Sequence, residues 1–379
     1  MNIGTLKNFT SKVVRYTTMR KILVLVSTFL LITLVYVRVS HTPSVASPLE
    51  SFLGTNVSPT PTLTPSPTPL PIPEAKLLVN DYHIFQTFNN CGPAALSMAL
   101  SYFGLEVSQK DLGEVLRPYQ NPQGNNDDKS VTLEEIARKS KEYGLTPYLR
   151  PNGDKEVIKK FIASDIPVIT RTLLKEGDDI GHFRVIKGYD NATGEFTQDD
   201  SLQGHNLTYS YDEFMNLWKP YAYEYLVLIP SGKDDIAKSI IGENIDEQMA
   251  WQTAIDNARS VLATDPTDMY ARLNLSVGLY HTGDYEGAIR EFETVETRLP
   301  FRTLWYQIEP IMAYYKSGSY DEALSRIEKI LSNQNRAYSE LYIIRGKIYE
   351  NQGKSDEARA EYDKALVYNK NIDINEALN

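Results

Sequence analysis

The one cysteine of this 379-residue chain, Cys91, stands where a helix is predicted to begin. Gly92 and Pro93 follow it, then a mostly apolar run to Leu100, and Gly104 ends the pattern. Proline is favoured in the first turn of a helix, because the N–H that it lacks has no partner there. A helix N-terminus stabilises a thiolate through its macrodipole and free N–H groups. Cys91 is therefore a candidate nucleophile; the alternative is a small buried side chain at a helix start.

A thiol nucleophile needs a general base, and two histidines downstream qualify. His182 opens a predicted strand, 182–189, directly after a glycine that permits close approach. A histidine at the start of a strand can reach a thiol at the N-terminus of a helix. The alternative is a structural histidine that only caps the end of the strand. His205 lies in a predicted loop and is the second candidate. His83 is expected on an exposed strand shortly before the cysteine.

The imidazole in turn needs a group that orients it. A hairpin turn at 191–194 is predicted to bring 195–200 back beside the strand of His182. Asp199 and Asp200 end this return strand. Because successive strand residues face opposite sides, only one of the two carboxylates can point at the imidazole. The alternative for both residues is an acidic side chain that is solvated in a loop and has no catalytic role.

The remaining need is a donor for the oxyanion that forms during acyl transfer. Gln86 precedes Cys91 in the chain, and its neutral amide can donate a hydrogen bond beside the Cys91 backbone N–H. Asn89 and Asn90 compete for this role. We expect those two instead to shape the turn that leads into the helix.

The composition excludes several other classes of function. A net charge of −10, with no basic patch beyond the N-terminus, argues against nucleic-acid binding. A hydrophobic content of 42% supports packed cores, and a single cysteine allows no intramolecular disulfide. The sequence contains no Cys/His cluster with metal-ligand spacing, no phosphate-binding glycine loop and no nucleotide motif. We therefore expect no metal and no cofactor.

The N-terminus has the pattern of a membrane anchor. Residues 1–21 carry basic side chains and no acid, and residues 22–37 are uncharged and apolar. As a helix, 22–37 spans about 24 Å, slightly less than a bilayer core. The basic side stays in the cytoplasm, so the positive-inside rule predicts a single-pass protein of the cell membrane with its C-terminal bulk outside. A signal peptide cleaved near Ser44 and Ala46 is the alternative.

Residues 38–75 change character abruptly. The segment is dense in proline and threonine and has few large apolar residues. It cannot bury enough surface to offset the entropy of ordering, and such chains extend as semi-rigid spacers. We interpret it as a stalk between the membrane and the rest of the protein.

Residues 76–230 are predicted to form one α+β domain with a helical first half and a β-rich second half. A polar loop, 121–130, can border a site. Helices are predicted at 91–103, 108–116, 132–143, 154–163 and 211–218, and strands at 146–149, 167–172, 182–189, 195–199 and 223–229. Cys91 should then face His182 across a cleft between the two halves.

Residues 234–379 are helical and repetitive. Segments that begin at Gly283, Gly318 and Gly353 align at a spacing of 35 residues, with alanine and a large apolar residue at matching positions. Residues 247–266 have the pattern of one more helix. This period is similar to that of tetratricopeptide repeats, although Pro310 falls inside a predicted helix.

The first domain also resembles a known family. The chain has Gln-x4-Cys-Gly-Pro-Ala, then Gly-His-Phe-x-Val-x-x-Gly-Tyr-Asp and Asp-Ser. Over 86–218 this resembles the papain-fold peptidases of the bacteriocin-processing, double-glycine type, and their stand-alone relatives that carry tetratricopeptide repeats. The resemblance implies Cys91 as nucleophile, His182 as base, Asp200 as its orienting group and Gln86 in the oxyanion hole.

The expectation is therefore a papain-like α+β cysteine peptidase domain followed by an all-α repeat solenoid, behind one N-terminal transmembrane helix. The substrate would be a peptide or protein, and the repeats would bind substrate or a protein partner. Two alternatives remain open: an inert papain-like scaffold whose repeats carry the function, and a cell-wall amidase or transglutaminase-like acyl transferase that uses the same triad. Export-coupled cleavage of double-glycine leaders is not expected, because the chain has no ATP-binding cassette and faces outward.

Overall fold

The computed structural model of the chain describes residues 72–119, 131–332 and 335–375, which fall within one compact unit. The expected basic lead, the membrane anchor, the stalk up to residue 71 and the polar loop 121–130 lie outside these residues. Within the described ranges, no helix combines the length and the apolar character that a bilayer crossing requires.

The described part of the first domain is built on a seven-stranded antiparallel sheet. Its strands are β1 (Ala75–Leu77), β2 (Leu145–Arg150), β3 (Val168–Leu173), β4 (Gly181–Asp190), β5 (Glu195–Asp200), β6 (Gly204–Ser210) and β7 (Tyr225–Pro230). They run in the order β2-β7-β3-β4-β5-β6, and β1 pairs with the last residues of β4.

Helices cover both faces of this sheet. They are α1 (Cys91–Ser101), α2 (Gln109–Leu116), α3 (Leu133–Ser140), α4 (Lys155–Ala163), α5 (Tyr211–Trp218) and α6 (Asp234–Ile241). In β7, Leu226 and Leu228 pack with the helices α1 to α3, whereas Val227 and Ile229 pack with the helices α4 to α6. The sheet is therefore buried on both sides, and its side chains alternate between two cores.

The predicted helix starts are confirmed by their caps. Thr132 and Glu135 form a reciprocal capping box at α3. Asp154 accepts a hydrogen bond from the Val157 N–H at 2.7 Å, and Ser108 accepts one from the Asp111 N–H at 3.1 Å. The helix ends are shorter than expected, since α1 stops at Ser101 rather than at residue 103 and α3 continues only as a short 3-10 turn.

Two of the expectations for histidines are wrong. His205 lies on strand β6, not in a loop, because 204–210 pairs along β5. His83 lies on an irregular segment, not on a strand. This segment, 78–90, is joined to the sheet by single hydrogen bonds rather than by a ladder; the Leu78 N–H, for example, donates to the Lys187 carbonyl at 2.8 Å.

The described part of the C-terminal region consists of helices that pack on one another. They are α7 (Glu247–Thr264), α8 (Met269–His281), α9 (Tyr285–Val295), α10 (Thr303–Tyr306), α11 (Glu309–Ser317), α12 (Tyr320–Ser332), α13 (Ser339–Asn351) and α14 (Ser355–Tyr368). The three repeat glycines all have φ between 75° and 86°, as the predicted turns require. Pro310 lies in the first turn of α11, where proline is tolerated, so the proline that interrupted the repeat pattern marks a helix start.

The repeat helices pack directly on the first domain. The Asn274 side chain makes two hydrogen bonds to the backbone of the first domain. It donates one to the Lys219 carbonyl at 2.8 Å and accepts one from the Ala222 N–H at 3.2 Å. Arg302 pairs with Asp179, in the loop between β3 and β4, at 2.5 Å. The two regions are thus joined by specific polar contacts.

Candidate active site

Cys91 is the first residue of α1, and its side chain is only 5% exposed. The N-terminus of α1 packs directly against the sheet. A Cβ added to Gly92 would lie 3.1 Å from Val131 Cβ and 3.4 Å from Phe183 Cε2. The glycine after the cysteine therefore allows the N-terminus of α1 to approach β4 closely.

His182, near the start of β4, joins Cys91 to Asp200. The His182 Nε2 lies 2.8 Å from Asp200 Oδ1, so Nδ1 is the ring nitrogen left for the Cys91 thiol, to which the imidazole is hydrogen-bonded. The Phe183 backbone N–H also donates to the Cys91 sulfur. The sulfur thus has two hydrogen-bonding partners on one strand.

The electrostatics of this group favour an ion pair. Burial raises the pKa of the Cys91 thiol, but the hydrogen bond to His182 and the charges of His182 and Arg171 outweigh it, so the pKa lies below its ordinary value. Burial likewise opposes the imidazolium, yet the hydrogen bonds to Asp200 and Cys91 raise the pKa of His182 to about 9. Both shifts therefore favour a thiolate that faces an imidazolium.

Asp200 is fully buried and held as a carboxylate. Its Oδ1 also accepts hydrogen bonds from the backbone N–H groups of Leu202 at 2.7 Å and Gln203 at 2.8 Å. Its Oδ2 lies 3.3 Å from Arg184 Nε. Burial raises the pKa of Asp200, but the bond to His182 and the charges of His182 and Arg184 hold it below the ordinary range. The carboxylate can therefore orient the imidazole without taking its proton.

Asp199 faces away from this group, as the two-residue period of a strand requires. Its Oδ1 lies 2.8 Å from Lys187 Nζ, 2.9 Å from His205 Nδ1 and 3.0 Å from the Asn206 N–H. His205, the second candidate base, is thus paired with Asp199. Asp200 and His182 are the carboxylate and the imidazole that meet Cys91.

Gln86 is placed by the residue that follows Asp200. The Gln86 backbone N–H donates to the Ser201 carbonyl at 2.7 Å, and Ser201 Oγ donates to Gln86 Oε1 at 2.8 Å. With Oε1 engaged, the amide donates through Nε2. A surface hollow of about 300 Å³ is bordered by Gln86, Thr87, Phe88, Asn89 and Leu202. Gln86 can therefore donate a hydrogen bond to a group bound in this hollow.

The two asparagines before Cys91 serve the turn. Asn89 has a φ of 52°, a left-handed conformation that asparagine tolerates. The buried Asn90 side chain donates to the Gln109 carbonyl at 3.1 Å and accepts from Arg117 Nη1 at 3.3 Å. Both asparagines therefore have a local structural reason for their place.

Sequence reasoning missed Arg171. This residue on β3 is 5% exposed and pairs in register with Phe183. Its guanidinium donates to the Val131 carbonyl and lies 4.6 Å from the centroid of the Phe183 ring. An arginine inside the buried strand VITRTL was the available signal, because arginine is rarely buried without a partner.

Among the described residues there is no group of three or more His, Cys, Asp or Glu side chains that could hold a metal ion.

Comparison with known proteins gives two family matches. Residues 78–226 match the Peptidase_C39 like family, and residues 311–371 match a tetratricopeptide repeat. No curated protein gave a significant match to the chain.

Solved structures similar to the chain include a protein from Bacillus anthracis assigned as a C39-like peptidase, with 16% identity, a TM-score of 0.35, and coverage of 41% of this chain and 98% of that one. The peptidase domain of Streptococcus ComA, a bi-functional ABC transporter involved in quorum sensing, has 20% identity, a TM-score of 0.31 and coverage of 41% and 98%. A double glycine motif protease from an AMS/PCAT transporter, in complex with the leader peptide, has 19% identity, a TM-score of 0.31 and coverage of 40% and 91%.

Proposed function

We propose that this chain, which carries a Peptidase_C39-like domain over residues 78–226 and a tetratricopeptide repeat over 311–371, is a cysteine peptidase that hydrolyses peptide bonds. The observation that carries the proposal is the His182 imidazole, hydrogen-bonded to the Cys91 thiol on one side and to Asp200 on the other. Nucleophile, base and orienting group in hydrogen-bonded order are what thiol acyl transfer requires.

In the proposed mechanism, the Cys91 thiolate attacks the carbonyl carbon of the peptide. The oxyanion that forms accepts hydrogen bonds from Gln86 Nε2 and the Cys91 backbone N–H. The His182 imidazolium then protonates the leaving amine, and a thioester remains on Cys91. Neutral His182 next takes a proton from water, hydroxide attacks the thioester, and the thiol leaves with the proton from His182.

The repeats, in this proposal, bind the peptide or protein substrate or a protein partner. Tetratricopeptide repeats form extended surfaces of the kind that bind peptides. In this chain, the ion pair between Arg302 and Asp179 ties them to the β3–β4 loop that leads to His182. Substrate held by the repeats would thus be delivered near the thiol.

The proposal includes a place in the cell. The apolar stretch 22–37 would span the membrane once, with the proline- and threonine-rich segment 38–75 as a stalk and the peptidase outside. Protease added to intact cells should then remove the C-terminal bulk. Complete protection in intact cells, with cleavage only after lysis, would contradict this topology.

The activity is tested with a thiol-directed epoxide and a peptide library. The wild-type protein should be labelled at Cys91, substrate should compete with the label, and Cys91→Ala should neither label nor cleave. Asp199→Asn is the matched control, since its carboxylate faces away from the thiol and the label should still bind. If Cys91 reacts no faster than free cysteine at pH 6, the chain is an inert binding scaffold and the proposal fails.

A further inference from the structure

One residue of the repeat domain contacts the strand that carries the candidate base. The Tyr306 ring, at the end of α10, packs against Gly181, the residue before His182. A Cβ added to Gly181 would lie 2.7 Å from Tyr221 Oη and 3.2 Å from Tyr306 Cε1. The glycine therefore leaves the space that both tyrosines occupy.

The same tyrosine helps to enclose Arg171. The guanidinium lies 4.6 Å from the Phe183 ring centroid, 5.5 Å from that of Tyr306 and 5.9 Å from that of Tyr221. Arg171 Nη1 also donates to the Tyr306 carbonyl at 3.4 Å. Three aromatic rings thus surround one cation, two of them from the peptidase domain and one from the repeats.

The guanidinium of Arg171 lies close to the N-terminus of α1. Arg171 donates to the carbonyl of Val131, whose Cβ would be 3.1 Å from a Cβ on Gly92. It also stacks on Phe183, whose N–H binds the Cys91 sulfur. Arg171 is therefore a buried cation next to the residues that carry and contact the thiol.

We propose that Tyr306 is a positioning residue of the active site, which excludes water from Arg171 and keeps its positive charge effective beside Cys91. A charge pair shielded from water interacts several times more strongly than one in solvent. The proposal rests on the proposed function, because it assigns the repeat domain a part in activating the same thiol.

Other ionisable groups also interact with Cys91 and Arg171. His182 and Arg171 both favour the thiolate, and burial opposes it. Arg171 also interacts with Glu224, Tyr221, Tyr306 and Tyr338. Burial raises the pKa of each of these four groups. The three tyrosine phenols therefore stay neutral below pH 9. The tyrosines thus contribute no change of charge over the pH range in which Cys91 is measured.

The test measures the rate at which iodoacetamide alkylates Cys91 between pH 4 and 9, which needs no turnover of substrate. We expect Tyr306→Leu to slow alkylation at pH 6 on the order of threefold to tenfold, because water then screens Arg171 and thiolate is lost. Tyr306→Phe keeps the ring and should retain the wild-type profile. Tyr315→Leu is the matched control in the same domain, because Tyr315 stacks on Tyr320 and not on Arg171.

The double variant Tyr306→Leu/Arg171→Met distinguishes a role through Arg171 from a general loosening of the fold. If Tyr306 acts by enclosing Arg171, the double variant alkylates no more slowly at pH 6 than Arg171→Met alone. Additive losses, an unchanged profile for Tyr306→Leu, or a Tyr306→Phe profile like that of Leu would each overturn the proposal. Slow alkylation of the wild type at every pH would instead remove the proposed peptidase function itself.

Discussion

His182 Nε2 lies 2.8 Å from Asp200 Oδ1, which leaves the other ring nitrogen for the Cys91 thiol. The order of these three groups determines where protons move. The carboxylate stays ionised because Arg184 and two backbone N–H groups also hold it. Cys91 and His182 are therefore the two groups of the three whose protonation determines the pH dependence.

The first prediction is a bell-shaped pH profile of kcat/KM. Activity should rise as pH passes the lowered pKa of Cys91, because the thiolate forms, and fall near pH 9, because His182 then loses the proton needed by the leaving amine. The two limbs belong to the coupled pair rather than to either residue alone. Peptide hydrolysis measured from pH 4 to 10 checks this; a profile that is flat through pH 9 would contradict the ion pair.

The second prediction separates two adjacent carboxylates. Asp200→Asn should lower kcat by roughly 100-fold or more, since the amide cannot stabilise the imidazolium. The alkaline limb should also move to lower pH, because the Asp200 bond is what raises the pKa of His182 most. Asp199→Asn is the matched change and should keep kcat within a fewfold of wild type while it weakens the pairing with Lys187. Equal losses in both variants would mean that the carboxylates act through stability alone.

The third prediction concerns the oxyanion. Gln86→Ala should reduce kcat on the order of 10²- to 10³-fold, the usual effect of removing one such donor. Ser201→Ala should cost less, about tenfold, because it only frees the amide oxygen that Ser201 Oγ holds at 2.8 Å. KM should change little in both variants. A rise in KM with kcat unchanged would assign Gln86 to substrate binding instead.

The fourth prediction concerns the contact between the domains. Asn274→Ala removes two hydrogen bonds to the backbone of the peptidase domain, and one of them leaves the Ala222 N–H unsatisfied. The free energy of unfolding should fall by about 1–3 kcal/mol. Urea unfolding followed by circular dichroism and by tryptophan fluorescence measures this. Asn351→Ala, whose side chain donates to Tyr320 Oη at 3.0 Å on the exposed face of the repeats, is the control.

The sequence was sufficient for the elements whose signals are local. Capping residues marked the starts of α2, α3 and α4, and the strand alternation separated Asp199 from Asp200. The glycine turns of the repeats likewise depend on one residue each.

What the sequence did not reveal depends on distant partners. The strand of His205 exists because β5 offers it an edge to pair with, and its polar residues gave no local sign of this. The role of Arg171 could be recognised only from the aromatic rings that surround it in the structure. One of these rings belongs to Tyr306, which is far from Arg171 in the sequence. The membrane anchor and the stalk remain predictions.

The polar contacts between the domains have a consequence for engineering. Asn274, Arg302 and Tyr306 lie in the repeat domain, and each of them contacts a residue of the peptidase domain. Exchanging the repeats for those of another protein would discard all three contacts at once. A chimera meant to redirect specificity should therefore keep residues 268–307 from this chain and graft new sequence only after them.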